Sequence, residues 1–407
     1  MLYSIFFRIY VLGVFVAALF NKKARLLIKG HRMIFSTLKE KVDHQARYIW
    51  FHASSLGEFE QGRPLIERIW KNHPEYKILL TFYSPSGYEV RKNYPFADIV
   101  CYLPFDTKTS IRRFLKKVPI ERAFFIKYEF WPNTLKCLKR RGIPVYSVSS
   151  VFRKEQLFFK WYGKLYSKSL RYFDHFFVQN QLSRELLESI DIKNVTVVGD
   201  TRCDRVMEVA AESKTIPVLE CFTKDAKVFI AGSSWLPDEN IYLPYFNGQT
   251  TWKIIIAPHV IDENRLADIE KRMAGKKIAR LSNTNIENAV DLECLIIDCY
   301  GLLASAYRYC DIAYVGGGFG AGIHNLLEAA VFSIPVLFGP KHERFREAAS
   351  LISLGGGFEV TDTYSFQIIM DKFFSAPAYL TSAGEAAGSY FKENSCASEY
   401  ILQQIGL

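Results

Sequence analysis

The sequence predicts an α/β protein of two doubly wound parallel-sheet domains behind a hydrophobic N-terminal segment. Three observations carry this. The chain has 407 residues, more than one ordinary core accommodates. Short apolar runs alternate with amphipathic stretches, the pattern of strands joined by helical crossovers. The alternation occurs in two sets, separated by a stretch at 208–226 with no strand signal.

Residues 1–20 are almost wholly apolar, broken only by Arg8. Lys22, Lys23, Arg25, Lys29 and Arg32 follow, with no acidic residue before Glu40. No Ala-x-Ala site precedes the basic cluster, which argues against a cleaved signal peptide. About 18–20 apolar residues just span a bilayer, with flanking bases kept cytoplasmic. The expectation is a membrane anchor over 1–21; the competing reading is a helix lying in the interface with Arg8 snorkelling.

The first set of strands is expected at 48–52, 78–82, 99–103, 123–128, 144–148, 175–179 and 195–198, making a domain over 22–207. The second is expected at 228–231, 253–257, 277–281, 294–298, 312–315 and 335–338, making a domain over 208–382. The two sheets are expected to face each other across a cleft. Residues 383–407 look helical and are expected to pack back across both domains.

The formal net charge of +10 favours an anionic partner, and no zinc finger or other nucleic-acid motif points to nucleic acid. The 23 Tyr and 32 Phe suit a membrane-facing surface. The 8 cysteines form no CxxC pair, which argues against a disulfide framework or a zinc site and for a reducing compartment.

Chemistry is sought where strands end, because open parallel sheets bind ligands at their carboxyl edge. The run Trp50-Phe51-His52-Ala53-Ser54-Ser55-Leu56-Gly57-Glu58 is a strand turning into a helix. Glu58 there is either a helix-capping carboxylate or a reacting one. Glu129, within Tyr128-Glu129-Phe130-Trp131-Pro132-Asn133, is a carboxylate among aromatics with either a raised pKa or a buried basic partner. In the second domain, Gly316 to Gly322 form a glycine-rich loop after a strand, with a helix expected from about Asn325. Glycines permit close backbone approach to a ligand, a helix start favours phosphate, and Glu328 can accept from ribose hydroxyls. His324 and Glu328 have the i,i+4 spacing of a metal pair but no evident third ligand. Gly232-Ser233-Ser234-Trp235 and Ala257-Pro258-His259 also end strands.

Together with Gly199-Asp200-Thr201-Arg202-Cys203-Asp204-Arg205 and Pro335-Val336-Leu337-Phe338-Gly339-Pro340, these stretches resemble the 3-deoxy-D-manno-octulosonic acid (Kdo) transferases of lipid A assembly. The resemblance implies a GT-B glycosyltransferase that transfers Kdo with inversion and without a metal or other cofactor. It implies CMP-Kdo as donor, lipid IVA as acceptor, and a place on the cytoplasmic face of the inner membrane, against anionic lipid. It makes Glu58 the general base and Glu129 a second carboxylate on the acceptor side. The CMP contacts it implies fall on Pro258, His259, Tyr300, Gly301, Leu302, Asn325, Leu326, Leu327 and Glu328. Two departures stand out. Pro258-His259-Val260 replaces the family's Pro-Arg-His, so Lys341 or Arg344 is expected to supply the missing cation. The glycine loop is short, with Ile323 where a glycine often precedes the histidine. Alternatives are another GT-B enzyme or a sugar-nucleotide epimerase using a UDP-sugar, and a non-catalytic nucleotide-binding scaffold at the membrane.

Overall fold

The structure, a computed structural model, describes residues 2–248 and 251–407. Met1, the first residue of the expected anchor, lies outside the described residues. The chain forms two compact units, residues 1–205 with 394–407, and residues 206–393.

The first unit opens with helices α1 (Leu2–Ala17) and α2 (Lys22–Lys41). Its sheet has seven strands: β1 (Arg47–Ala53), β2 (Tyr76–Phe82), β3 (Ile99–Tyr102), β4 (Ile120–Ile126), β5 (Val145–Ser150), β6 (His175–Val178) and β7 (Val195–Val197). They lie in the order β3-β2-β1-β4-β5-β6-β7, all parallel. Both faces are covered, which explains why these strands are near-continuous apolar runs. Trp50 and Phe125 point to one face, with Leu27, Ile34 and Leu38 of α2 in that core. Ile49, Phe51 and Phe124 point to the other, against Phe59, Leu65, Ile66 and Ile69 of α3 (Leu56–Asn72).

The second sheet comprises β8 (Val228–Ser234), β9 (Lys253–Pro258), β10 (Ile278–Arg280), β11 (Cys294–Ile296), β12 (Ile312–Val315), β13 (Val336–Phe338) and β14 (Gly357–Glu359). Their order is β10-β11-β9-β8-β12-β13-β14, again all parallel. The three-residue β14 has no counterpart in the sequence reading, because so short an apolar run carries no period. The stretch at 208–226 is helical at Arg202–Ala211 and Pro217–Thr223.

The C-terminal residues form two helices rather than one. Pro377–Asn394 packs Ala383 into the core of the second unit. Ala397–Gln404 places Ile401 and Leu402 in the core of the first. Asp204 accepts from the Ser398 amide at 2.6 Å, and Arg122 donates to the Ile405 carbonyl at 2.6 Å.

No single helix among the described residues is long and apolar enough to cross a membrane. α1 has 16 residues, and the chain bends by 117° between it and α2. Its Phe7 is buried against the first unit, with Tyr3, Val11 and Val14 on the same stripe. Ile5, Phe6, Ile9, Leu12, Phe15 and Val16 remain exposed.

Candidate active site

In the first sheet the strand order reverses between β1 and β4. A doubly wound sheet opens its crevice at that point, at the carboxyl ends of the two strands. The loop after β1 carries Glu58 and the loop after β4 carries Glu129. The sheet thus brings together two carboxylates 71 positions apart in the chain (129 − 58).

Glu58 stands in the first turn of α3, and its Oε2 accepts from the Ser54 amide at 2.6 Å. Ser55, at the N-cap, makes no side-chain cap, so the carboxylate serves that purpose. It titrates unusually nonetheless. Burial, then the Glu129 charge, push its pKa up to about 7, against the pull of the Ser54 and Ser55 amides and of Lys127. The capping and reacting readings of Glu58 describe one carboxyl group.

Glu129 is 7% exposed; its Oε2 accepts from His52 Nε2 at 3.0 Å and from Trp131 Nε1 at 2.7 Å. His52 Nδ1 lies 2.9 Å from Thr81 Oγ1 and 3.1 Å from the Thr81 carbonyl, and the Thr81 hydroxyl accepts from Trp50 Nε1 at 2.8 Å. This is a buried, satisfied chain running from the core to the crevice. Lys127, between β4 and Glu129, holds φ at 59°, a left-handed conformation unusual for a residue with a Cβ.

In the second sheet the order reverses between β8 and β12. A cavity of about 310 Å³ opens beside it, lined by Pro258, His259, Tyr300, Gly301 and Glu328 among others. Five of the nine expected nucleotide contacts are therefore gathered there. Asn325 stands one bond away, donating through Nδ2 to Glu328 Oε1 at 2.9 Å. Leu326 and Leu327 are fully buried core residues and Leu302 is absent from the lining, so their side chains offer the cavity nothing.

Four features of this region differ from the sequence reading. The helix after the glycine loop is a single turn, Leu327–Ala330, too short for a helix-terminal phosphate site. His324 precedes that turn, so it does not share a helical face with Glu328. It stacks on His259 at 4.4 Å and accepts from Trp235 Nε1 at 3.1 Å, and Trp235 itself stacks on His259 at 4.5 Å. Burial and His259 lower the His324 pKa. The loop glycines chiefly serve packing: a Cβ on Gly316 would lie 2.4 Å from the Ser233 carbonyl, and one on Gly318 2.6 Å from Gly339. Neither Lys341 nor Arg344 lines the cavity, and Lys341 donates to the Gly320 carbonyl at 2.9 Å. Among the described residues no group of three His, Cys, Asp or Glu side chains is set to hold a metal ion.

Residues 29–205 match the family model of 3-deoxy-D-manno-octulosonic-acid transferase (kdotransferase). The 3-deoxy-D-manno-octulosonic acid transferase of Aquifex aeolicus is 26% identical over 79% of this chain and 84% of its own. Over these stretches the chain is similar to the Kdo transferases. A bifunctional glycosyltransferase/methyltransferase of Fusobacterium nucleatum is 25% identical over 92% of this chain, which spans 58% of that protein's length. In fold, the chain resembles UDP-GlcNAc 2-epimerase from Neisseria meningitidis, with a TM-score of 0.61 at 16% identity over 88% of this chain and 99% of that one. That likeness shows the two-sheet α/β architecture of GT-B glycosyltransferases and nothing about substrate.

Among the Kdo transferase motifs, Gly199–Arg205 proves structural in this chain. Asp200 takes a bidentate pair from Arg202, Nη2 to Oδ2 at 2.6 Å and Nε to Oδ1 at 3.1 Å, and Asp204 holds the C-terminal helix. The sequence reading did not single out Asp238. It accepts from the Gly317 amide at 2.9 Å, the Trp235 amide at 3.0 Å and the Tyr314 hydroxyl at 3.0 Å, and so fixes the switch-point loops of the second sheet. It looked like an ordinary acid in a helix's first turn, and only its partners distinguish it.

Proposed function

We propose that the chain transfers Kdo from CMP-Kdo to lipid IVA in lipopolysaccharide core biosynthesis, with inversion and with Glu58 as general base. The observation that carries this reading is a carboxylate with a pKa near 7 at the switch point of the first sheet. A base of that strength is half-ionised at neutral pH and strong enough to take a hydroxyl proton. As a primary hydroxyl of the acceptor attacks the anomeric carbon, its proton passes to Glu58. The bond from that carbon to the CMP phosphate oxygen breaks, and CMP leaves with the electron pair. Glu129, held by His52 and Trp131, faces the acceptor and stabilises positive charge developing on the sugar.

For the donor, the second sheet's cavity has the chemistry a nucleotide needs. Glu328 offers oxygens to ribose hydroxyls, and the stacked His259 and His324 offer imidazoles to the phosphate. The exposed apolar face of α1 and the exposed bases Lys22, Lys23, Arg25, Lys29 and Arg32 favour an interfacial helix on the cytoplasmic face of an anionic membrane. Each base near such a surface contributes roughly 1 kcal/mol.

The test is transfer from CMP-Kdo, generated in situ, to lipid IVA by the detergent-purified protein with EDTA present, read by mass spectrometry. Product heavier by whole Kdo units is expected, and Glu58→Gln is expected to abolish it while still binding CMP. Turnover only with UDP-sugars would replace this reading by the other glycosyltransferase or epimerase reading. CMP binding without any turnover would leave a scaffold.

A further inference from the structure

α1 is bonded to the segment that carries Glu129. Tyr3 donates to Asp106 Oδ2 at 2.8 Å. Asp106 in turn accepts from the amides of Asn133 and Thr134, at 3.1 and 2.8 Å, and from the Thr134 hydroxyl at 2.6 Å. Asn133 donates to the Asp106 carbonyl at 2.6 Å and reaches Ser4 Oγ at 3.4 Å. Phe7, the buried residue of α1, sets its ring edge-on to Trp131 at 6.1 Å. Tyr10 meets the Tyr83 hydroxyl at 2.9 Å, and Tyr83 packs on the far part of Trp131 at 4.8 Å. The indole is thus held by α1 on one flank and by Tyr83 on another, and its N–H is given to Glu129 at 2.7 Å.

A mere anchor needs none of this. It needs length, apolar surface and a tether, and α1 already keeps most of its apolar surface outward. We propose that α1 is a positioning element of the active site: Phe7 seats Trp131, and Trp131 with His52 holds the Glu129 carboxylate in register with Glu58. Seating of α1 and readiness of the carboxylates are then one event. An enzyme whose acceptor is a membrane lipid gains from this, because the helix that meets the membrane also completes the site. The inference rests on the transferase reading above.

The charged and titratable groups involved are few. Glu58 faces Glu129 and Lys127 from the loop after β4, and the Ser54 and Ser55 amides from its own loop. Glu129 faces His52 from β1, and its charge is felt by Tyr83 after β2. Releasing Trp131 frees Glu129 to turn from Glu58, which lowers the repulsion on Glu58 and moves the acid limb of the rate to lower pH.

The experiment measures kcat, KM and the pH profile of the full-length protein in detergent, with a deacylated bisphosphorylated disaccharide as soluble acceptor, so that membrane affinity plays no part. Phe7→Ala removes the brace. Trp131→Phe keeps an aromatic ring while removing the N–H with the pyrrole part of the indole, and measuring it beside Phe7→Ala guards against a variant that fails to fold. Each is expected to lower kcat about tenfold, leave KM for CMP-Kdo unchanged and shift the acid limb downward. The double variant is expected to be no slower than Trp131→Phe alone, because both act through one hydrogen bond. Phe6→Ser, on the exposed face, is expected to weaken vesicle binding and leave kcat on the soluble acceptor unchanged. A Phe7→Ala enzyme at the wild-type rate, or losses that simply add in the double variant, would overturn the proposal while an inert Glu58→Gln left the transferase reading intact. A fully active Glu58→Gln would instead overturn the base assignment, and absence of wild-type transfer would overturn both.

Discussion

Glu58 is governed by burial and by four neighbours at once, Glu129, Lys127 and the Ser54 and Ser55 amides, and their balance fixes how the protein responds to pH. Its folded pKa, about 7, lies above the ordinary carboxyl value of 4.5. Folding therefore favours the protonated form. The stability this lends is fully present below about pH 4.5 and is lost as pH rises through about 7. A shift of this size corresponds to at most about 3 kcal/mol, from roughly 1.4 kcal/mol per pKa unit. Glu58→Gln is thus expected to melt higher than wild type at pH 8 and equally at pH 4, in a series of thermal scans. A gain that persisted at pH 4 would refute the linkage. For catalysis the sign reverses, because a base must be ionised. kcat/KM should rise with pH through about 7, and Glu129→Gln should move that rise to lower pH by removing a neighbouring charge. The sequence pointed to both carboxylates from their positions at strand ends. It placed His52 and Trp131 within the same runs but gave them no role, and it did not single out Thr81; His52 meets Glu129 only because β1 and β4 are neighbours.

At the level of elements, the glycine loop after β12 shows how a motif can be found and its purpose misread. Gly316 to Gly322 follow a strand at a sheet edge, and the sequence suggested a cradle for phosphate ahead of a helix. The loop instead folds tightly against its neighbours. Gly318→Ala would drive a Cβ to within 2.6 Å of the Gly339 backbone, which has no flexible end to move. Overpacking of this kind costs roughly 1–3 kcal/mol, so a clear fall in Tm is expected. Gly320→Ala, whose nearest neighbour would lie at 3.5 Å, is the matched control and should melt near wild type. Equal falls for both would show that the loop's conformation, not the packing of Gly318, sets the cost. α1 is the complementary case. Its composition announced a membrane helix, but the Tyr3 and Phe7 stripe that docks it is invisible in a segment apolar all round.

Across the whole molecule, the chain crosses from the first unit to the second near Arg205 and returns near Asn394. The last helix then inserts Ile401, fully buried, into the core of the first unit. A C-terminal residue thereby supports the unit that holds Glu58. Ile401→Ala is expected to destabilise by about 2–5 kcal/mol, the cost of a buried large-to-small change, and to lower Tm. Asp204→Ala, which leaves the Ser398 amide without its acceptor, should act in the same direction. If Ile401→Ala were neutral in denaturant titrations, the C-terminal helix would be dispensable for that core. The sequence recognised a terminal helical stretch over 383–407 that packs on both domains, but not that it breaks into two helices, Pro377–Asn394 and Ala397–Gln404.

The sequence by itself determined the strands of the two parallel sheets, β14 excepted, because strands buried on both faces must be apolar throughout and such runs are legible without contacts. It also pointed to the two carboxylates, because ligand chemistry in these sheets falls at strand ends, and the family resemblance named five of the twelve residues that line the cavity. Only the tertiary structure decided which strand ends adjoin. The order β3-β2-β1-β4 places the loops after β1 and β4 side by side, and with them Glu58, Glu129 and the His52–Trp131 clamp. Strand order is a matter of long-range packing between residues some seventy positions apart, and no local pattern encodes it.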